Sequence, residues 1–151
     1  MRIFSIFKKR PKVKHSVFGE LTVITSKNKN VDFFEGIGVF KITNKRVHFH
    51  IKADGPLPTE TQYLFYKDIL KHYDELVAQC TPLIIAEFSN SIEDFKIVDF
   101  NSEFSVDHIT IPHQKAKPLV WDMAFTTIHD ENHTIFVAFS DFKLTKFHID
   151  G

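Results

Sequence analysis

The sequence predicts a single α+β domain in which antiparallel β-strands precede and follow one main helix. Near both ends of the chain, apolar and polar residues alternate over short segments, a two-residue period typical of strands with one buried face. In the middle, apolar residues recur at three- and four-residue steps, as expected for a helix that packs on a sheet. This order of strands, helix and strands indicates an α+β arrangement rather than alternating α/β units.

The first part of the chain contains three predicted strand segments, over residues 15–24, 33–42 and 46–53. The first is predicted to be a strand pair or a bulged strand around Gly19. Gly36 and Gly38 share one face of the second segment, which indicates that another backbone approaches closely or that the strand bends. The third segment alternates most regularly, so we expect one buried face and one face toward water or a partner.

Helical periodicity begins after Pro58. Thr59 and Gln62 have the spacing of a capping box, in which each side chain bonds to the other residue's backbone N–H. The apolar stripe that follows consists of Phe65, Ile69, Tyr73, Leu76 and Cys80. Pro82 is expected to kink this main helix, or to split it by opening a second short helix.

The remainder of the chain returns to a two-residue period. Between two of its segments, the polar run of residues 129–133 predicts a hairpin loop. The predicted strands in this part are residues 95–100, 104–111, 119–128, 134–139 and 143–149.

Composition and charge limit the class of protein. The chain has 151 residues, enough for one domain with a substantial core, and its single cysteine, Cys80, cannot form an internal disulfide. It has 19 basic and 19 acidic residues, but six of the basic ones lie within residues 1–14, which contain no acidic residue. We therefore predict a basic flexible tail over residues 1–14 and a single domain over residues 15–151 with a net charge of −6.

The same features exclude several kinds of partner. An acidic domain argues against a nucleic-acid-binding surface, which would need positive charge on the folded body. No run of about eighteen apolar residues is present, so no transmembrane helix is predicted. The N-terminal charges follow the apolar residues instead of preceding them, unlike those of a signal peptide. We therefore expect a cytoplasmic protein and no membrane contact by the tail.

The strand predicted over residues 46–53 carries the main candidate binding surface. Its alternation places Arg46, His48, His50 and Lys52 on one side, and we interpret them as partner-binding residues. Two imidazoles could also act as general acid and base in phosphodiester cleavage, because imidazole titrates near neutral pH. A histidine-dependent hydrolase or nuclease is therefore an alternative function.

Two further histidines flank acidic residues in the predicted hairpin loop. His129, Glu131 and His133 form an alternative metal site, since imidazole and carboxylate groups bind zinc. The segment lies between strands, however, whereas the His-Glu-x-x-His arrangement requires a helix, and Asp130 and Asn132 favour turn chemistry. The sequence also lacks a glycine-rich phosphate loop and a Gly-x-Ser-x-Gly elbow. We therefore predict no catalytic residues, no metal and no cofactor.

Several short motifs are distributed along the chain: Phe18-Gly19-Glu20-Leu21, Phe34-Glu35-Gly36, Pro58-Thr59-Glu60, Tyr73-Asp74-Glu75-Leu76, Trp121, Asp130-Glu131-Asn132-His133 and Phe139-Ser140-Asp141. Together these motifs resemble those of a loose group of small bacterial domains of unknown function. The resemblance covers residues 15–150. Members of the group are often similar to cytosolic immunity proteins encoded beside polymorphic or contact-delivered toxins, and the group supplies no catalytic residues.

The resemblance implies a non-enzymatic protein-binding module that neutralises a cognate bacterial toxin by occluding its active site. Charge complementarity would then speed the encounter and select the partner. The acidic domain suits a basic toxin such as a nuclease, whereas the stripe from Arg46 to Lys52 suits an acidic patch, and the sequence leaves both possibilities open. A peripheral membrane or scaffold protein that uses the basic tail is a further alternative.

Overall fold

The computed structural model describes residues 9–28 and 30–151. Over these residues, eight strands form one mixed sheet whose spatial order is the same as their order in the chain. The strands are β1 (Lys12–His15), β2 (Gly19–Thr25), β3 (Val31–Phe40), β4 (Lys45–Lys52), β5 (Phe104–Ile111), β6 (Val120–Thr127), β7 (Thr134–Ser140) and β8 (Lys143–Asp150). Between β4 and β5 the chain forms α1 (Glu60–Lys71), α2 (Tyr73–Phe88) and α3 (Phe100–Glu103).

The predicted boundary between tail and domain falls inside β1. This strand pairs with β2 across a tight turn that ends at Gly19, whose φ of 80° is a conformation that glycine adopts readily. Residues 12–14, assigned to the tail from sequence, are thus part of the sheet, and residues 1–8 lie outside the described residues. In the part of the chain that the structure describes, none of the helices has the length and apolar character needed to cross a membrane.

Strand direction differs from the prediction at one place. Over the described chain, six of the seven neighbouring strand pairs are antiparallel, as predicted, whereas β4 and β5 are parallel. Antiparallel neighbours can be joined by hairpins, but parallel neighbours need a long crossover connection, which the helices supply. The expectation of a purely antiparallel sheet is wrong at this junction, because side-chain alternation carries no information about strand direction.

The helical region is divided at a different residue from the one predicted. α1 begins at the predicted capping box, where the Thr59 hydroxyl accepts a hydrogen bond from Gln62 N–H. It ends at His72, whose backbone (φ −97°, ψ 7°) leaves the helical region and whose ring stacks on Phe142 at 4.5 Å. Pro82 lies inside α2 and does not split it. The prediction of one main helix is therefore not confirmed. The helices divide at His72, the residue that packs against Phe142 in a distant part of the chain.

Residues 95–100 do not form the predicted strand. Phe95 is buried, but Val98 is 93% exposed. The backbone N–H groups of Val98 and Asp99 donate to Glu103 Oε1, at 2.6 Å each, and not to a neighbouring strand. The carboxylate of Glu103 thus accepts the hydrogen bonds that these N–H groups would donate to a neighbouring strand in a sheet. The alternation in this segment therefore does not produce a strand.

Aromatic side chains fill the core between the helices and one side of the sheet. α1 lies against this side, where Phe65 meets Trp121 edge to face at 5.7 Å and Tyr66 meets Phe49 edge to face at 5.2 Å. Each such pair adds about 1 kcal/mol beyond the area that it buries. The indole N–H of Trp121 donates to the carbonyl oxygen of Asp141 at 2.5 Å. The largest fully buried aromatic residues are Trp121, Tyr66, Tyr73, Phe18, Phe34, Phe40, Phe49, Phe104, Phe125 and Phe139.

Gln62 connects the start of α1 to the ends of both parallel strands. Its side chain is fully buried, and its carbonyl oxygen accepts a hydrogen bond from Thr59 N–H at 3.1 Å. Its amide nitrogen donates to the carbonyl oxygens of Lys52, at the end of β4, and Pro112, just after β5, at 2.5 and 3.4 Å. One polar side chain therefore satisfies three backbone groups at the point where the crossover begins.

We predict that Gln62→Ala lowers the free energy of unfolding by about 2–3 kcal/mol, because it leaves buried backbone groups without partners. Chemical denaturation of the full chain measures the change. Leu64→Ala, an exposed change on the same helix, is the matched control and should cost less than about 1 kcal/mol. Equal losses in the two variants would show that the Gln62 hydrogen bonds contribute nothing to stability.

Gly36 gives a second test of the packing. A methyl group added there would overlap the carbonyl oxygen of Glu20 and lie 2.7 Å from Leu21 Cδ2. Gly36→Ala should therefore lower the free energy of unfolding by roughly 1–3 kcal/mol, the usual cost of overpacking. In Gly55→Ala, the added methyl meets nothing closer than the carbonyl oxygen of Leu57 at 4.0 Å, so stability should change little or rise slightly. Thermal unfolding of both variants is the measurement, and a stable Gly36→Ala protein would contradict the described close contact.

Candidate functional site

We call the side of the sheet that faces away from α1 the open face. Cross-strand pairing places one row of residues on it, running from β1 to β8: Lys14, Glu20, Ile37, His48, His108, Ala124, Phe136 and His148. All of them except Ala124 are at least partly exposed. The row combines three imidazoles with apolar and charged side chains on a single rigid surface.

The centre of the open face is a shallow concavity of about 400 Å³, which we name the imidazole basin. Parallel pairing places His48 of β4 beside His108 of β5, and antiparallel pairing places Glu35 of β3 beside His50. A register shift between Val106 and His108 adds one residue, Asp107, which is exposed. The side chains that line the basin include Glu35, Ile37, His48, His50, Asp107 and His108.

Two consecutive hydrogen bonds determine which nitrogen of His108 carries the proton. The Thr110 hydroxyl donates to Asp122 Oδ1 at 2.9 Å, because a carboxylate can only accept. With its proton used in this bond, Thr110 Oγ1 can only accept from His108 Nε2, which lies 3.0 Å away. Neutral His108 therefore carries its proton on Nε2 and keeps a lone pair on Nδ1, so the basin contains one imidazole with a defined acceptor atom.

His50 is held by a different set of neighbours. Its ring stacks on Phe33 at 4.3 Å, and its Nδ1 lies 3.4 Å from Glu35 Oε1. The ring centres of His50 and His108 are 6.2 Å apart. Each of these imidazoles thus has a carboxylate nearby, Glu35 for the first and Asp122 for the second. While the rings are neutral, the arrangement offers hydrogen-bond acceptors to a ligand.

Burial lowers the pKa of His108, because desolvation disfavours the charged imidazolium. The negative charge of Asp122 acts in the opposite direction, and the neighbouring His50 adds to the lowering. In the unfolded chain the same group would titrate near its ordinary pKa of 6.5. The unfolded state therefore binds more protons below that pH, and the contribution of His108 to the free energy of unfolding is lost as the pH falls through its folded pKa.

All four residues of the predicted binding stripe lie on the open face of β4. Arg46 and Lys52 are near the two ends of the strand, whereas His48 and His50 lie between them and line the basin. The stripe is therefore cationic at its ends and bordered by carboxylates at its centre.

Four residues of this region were not identified from the sequence: Glu35, Asp107, His108 and Asp122. They lie on β3, β5 and β6, and the structure brings them next to the stripe. Alternation along residues 104–111 could have marked His108 as a residue on one strand face. No sequence signal, however, gives the parallel register that places it beside His48.

The residues of the alternative metal site have separate partners. His129 Nε2 lies 2.6 Å from Glu103 Oε2, and His133 Nδ1 lies 2.5 Å from Asp130 Oδ2. Glu131 is exposed. Within residues 9–28 and 30–151, no three His, Cys, Asp or Glu side chains are grouped so that they could hold a metal ion.

Comparisons with known proteins identify no relative of this chain. No protein-family model matches it, and no curated protein or solved structure matches it significantly. The resemblance to immunity proteins stays a prediction from the sequence motifs.

We predict that Asp122→Asn lowers the pKa of His108 further, because the change removes the charge that most stabilises its imidazolium. Titration of the histidine ring signals by NMR measures this value. Asp150→Asn is the control, since Asp150 lies on β8 opposite Thr134 and should leave the pKa of His108 unchanged. A raised or unchanged pKa in Asp122→Asn would contradict the described contact through Thr110.

Proposed function

We propose that this protein is a non-enzymatic binding module that occludes the active site of a bacterial toxin, as immunity proteins do. The observation that carries the proposal is the open face, a sheet surface with no helix of the described chain on it and an aromatic core behind it. Six of the eight strands are hydrogen-bonded on both sides, so their side chains project from a fixed backbone. Such a surface loses little conformational entropy when it docks.

The size of the open face suits a protein partner. Strand spacing gives a width of about 34 Å from β1 to β8, and the inner strands are roughly 25 Å long, so the face covers about 800 Å². A stable protein–protein interface buries about 800 Å² on each partner. The open face can therefore supply one complete interface without a contribution from the helices.

The side chains on the open face also have the composition of an interface. Ile37, Val39 and Val120 are 41%, 49% and 64% exposed, and Phe33 and Phe136 on the same face are partly exposed. Apolar and aromatic groups among polar neighbours are typical of the centre of a protein–protein contact, where a few such residues contribute most of the binding free energy.

The imidazole basin favours a second candidate, a histidine-dependent hydrolase. His108 is oriented by Thr110 and Asp122, an arrangement that can position an imidazole for proton transfer. However, none of the described residues that line the basin is a lysine or arginine, which would stabilise the charge of a phosphodiester transition state. Turnover of a phosphodiester by the full chain, abolished in His108→Gln, would favour this candidate over the first.

The binding proposal predicts that Ile37→Arg weakens the complex with the toxin by at least about tenfold, since a charged side chain at the centre of the interface would be desolvated. The experiment uses the full chain as bait in an extract of its native bacterium. Dissociation constants are then measured by calorimetry with the purified partner, and toxin activity is assayed with and without each variant.

Leu64→Arg is the matched control, because Leu64 is also exposed but lies on α1, away from the open face. It should bind and inhibit as the unchanged protein does, and circular dichroism should show that both variants are folded. Equal affinity of the two variants, or partner binding without inhibition, would contradict the proposal.

A further inference from the structure

We propose that the imidazole basin receives a lysine or arginine side chain of the docked partner. This inference rests on the proposed function, since it assigns a chemical identity to the group that lies at the centre of the interface.

The basin contains negative charge without a matching positive charge. Glu35 and Asp107 line it, and Asp122 lies next to it through Thr110. Among the described residues, neither lysine nor arginine lines the basin or forms an ion pair with any of these three carboxylates. With the imidazoles neutral, the lining has two negative charges, and a basic side chain of a partner would complement them.

The hydrogen-bonding groups of the basin also match a basic side chain. Ionised carboxylates only accept hydrogen bonds, and neutral His108 keeps a lone pair on Nδ1 because Nε2 donates to Thr110. Lysine and arginine offer donors and no acceptors, so neither would be left with an unpaired group against these atoms. The exposed Ile37 side chain at the edge of the basin provides apolar surface along which the methylene stem can pack.

Other ligands fit the basin less well. A phosphate or carboxylate group would meet the like charges of Glu35 and Asp107. A metal ion would need at least three converging ligands, and no such group exists among the described residues. An apolar side chain would leave both carboxylates without a donor after their water is displaced, and a neutral amide or hydroxyl group would leave their negative charges unbalanced.

A pair of peptides tests the inference on the full chain without a partner. The probes are acetyl-Gly-Arg-Gly-amide and acetyl-Gly-citrulline-Gly-amide, which differ in charge but hardly in shape. Histidine ring signals are followed by NMR during titration with each peptide. We expect saturable shifts at His48 and His108 with the arginine peptide, and affinity about tenfold lower for the citrulline peptide.

Charge-neutralising variants locate the binding. The double variant Glu35→Gln/Asp107→Asn should bind the arginine peptide about tenfold more weakly. The matched control, Glu87→Gln/Glu93→Gln, removes two exposed carboxylates outside the basin and should bind normally. Equal binding of the two peptides, equal binding by the two double variants, or equivalent shifts caused by inorganic phosphate would overturn the inference.

The affinities of the variants for the purified partner distinguish this inference from the proposed function. If Ile37→Arg abolishes the complex but Glu35→Gln/Asp107→Asn leaves it intact, the open face is the interface and the basin does not receive a basic side chain. If neither variant affects the complex, both the inference and the proposed function are wrong. Weakening by both variants, with the two control variants unaffected, supports both.

Discussion

Parallel pairing between β4 and β5 is the constraint on which the rest of this architecture depends. Because parallel neighbours cannot be joined by a hairpin, the chain must leave the sheet after β4 and return to the starting end of β5. The helices lie on this route, and α1 packs on one side of the sheet, so the other side is left uncovered. The same pairing sets His48 beside His108, and Gln62 holds the carbonyl groups at the ends of both strands.

Much of the fold could be predicted from local patterns. Alternation predicted the strands after the helices, apart from residues 95–100, and spacing predicted the capping box of Thr59 and Gln62. Both kinds of feature depend on residues that are near neighbours in the chain. The features that were missed depend on distant contacts. The helix divides at His72, which stacks on Phe142. Residues 95–100 alternate but do not join the sheet, and Glu103 Oε1 accepts hydrogen bonds from the backbone N–H groups of Val98 and Asp99.

The candidate site divides in the same way. The stripe from Arg46 to Lys52 was predicted because it lies on one strand and follows a two-residue period. The carboxylates of Glu35 and Asp107 and the imidazole of His108 join it through strand pairing, which no pattern within a single strand specifies. This is also why sequence-level charge suggested both a basic and an acidic partner. The cationic side chains of β4 lie near its two ends, whereas the carboxylates from neighbouring strands lie near its centre. The net charge of the whole domain, or of one strand, therefore does not describe the charge at either place.

Agreement between chain order and spatial order has a consequence for how the native state is assembled. The paired residues Glu20 and Ile37 are 17 positions apart, whereas His48 and His108 are 60 positions apart. Closing the longer loop costs about 1 kcal/mol more in chain entropy. The pairing of β4 with β5, which joins the half of the sheet formed by β1–β4 to the half formed by β5–β8, therefore has the highest entropic cost. Each half can complete its own hairpins first. The basin takes one wall from each half, and a chain with only one half in place has no such basin to offer a ligand.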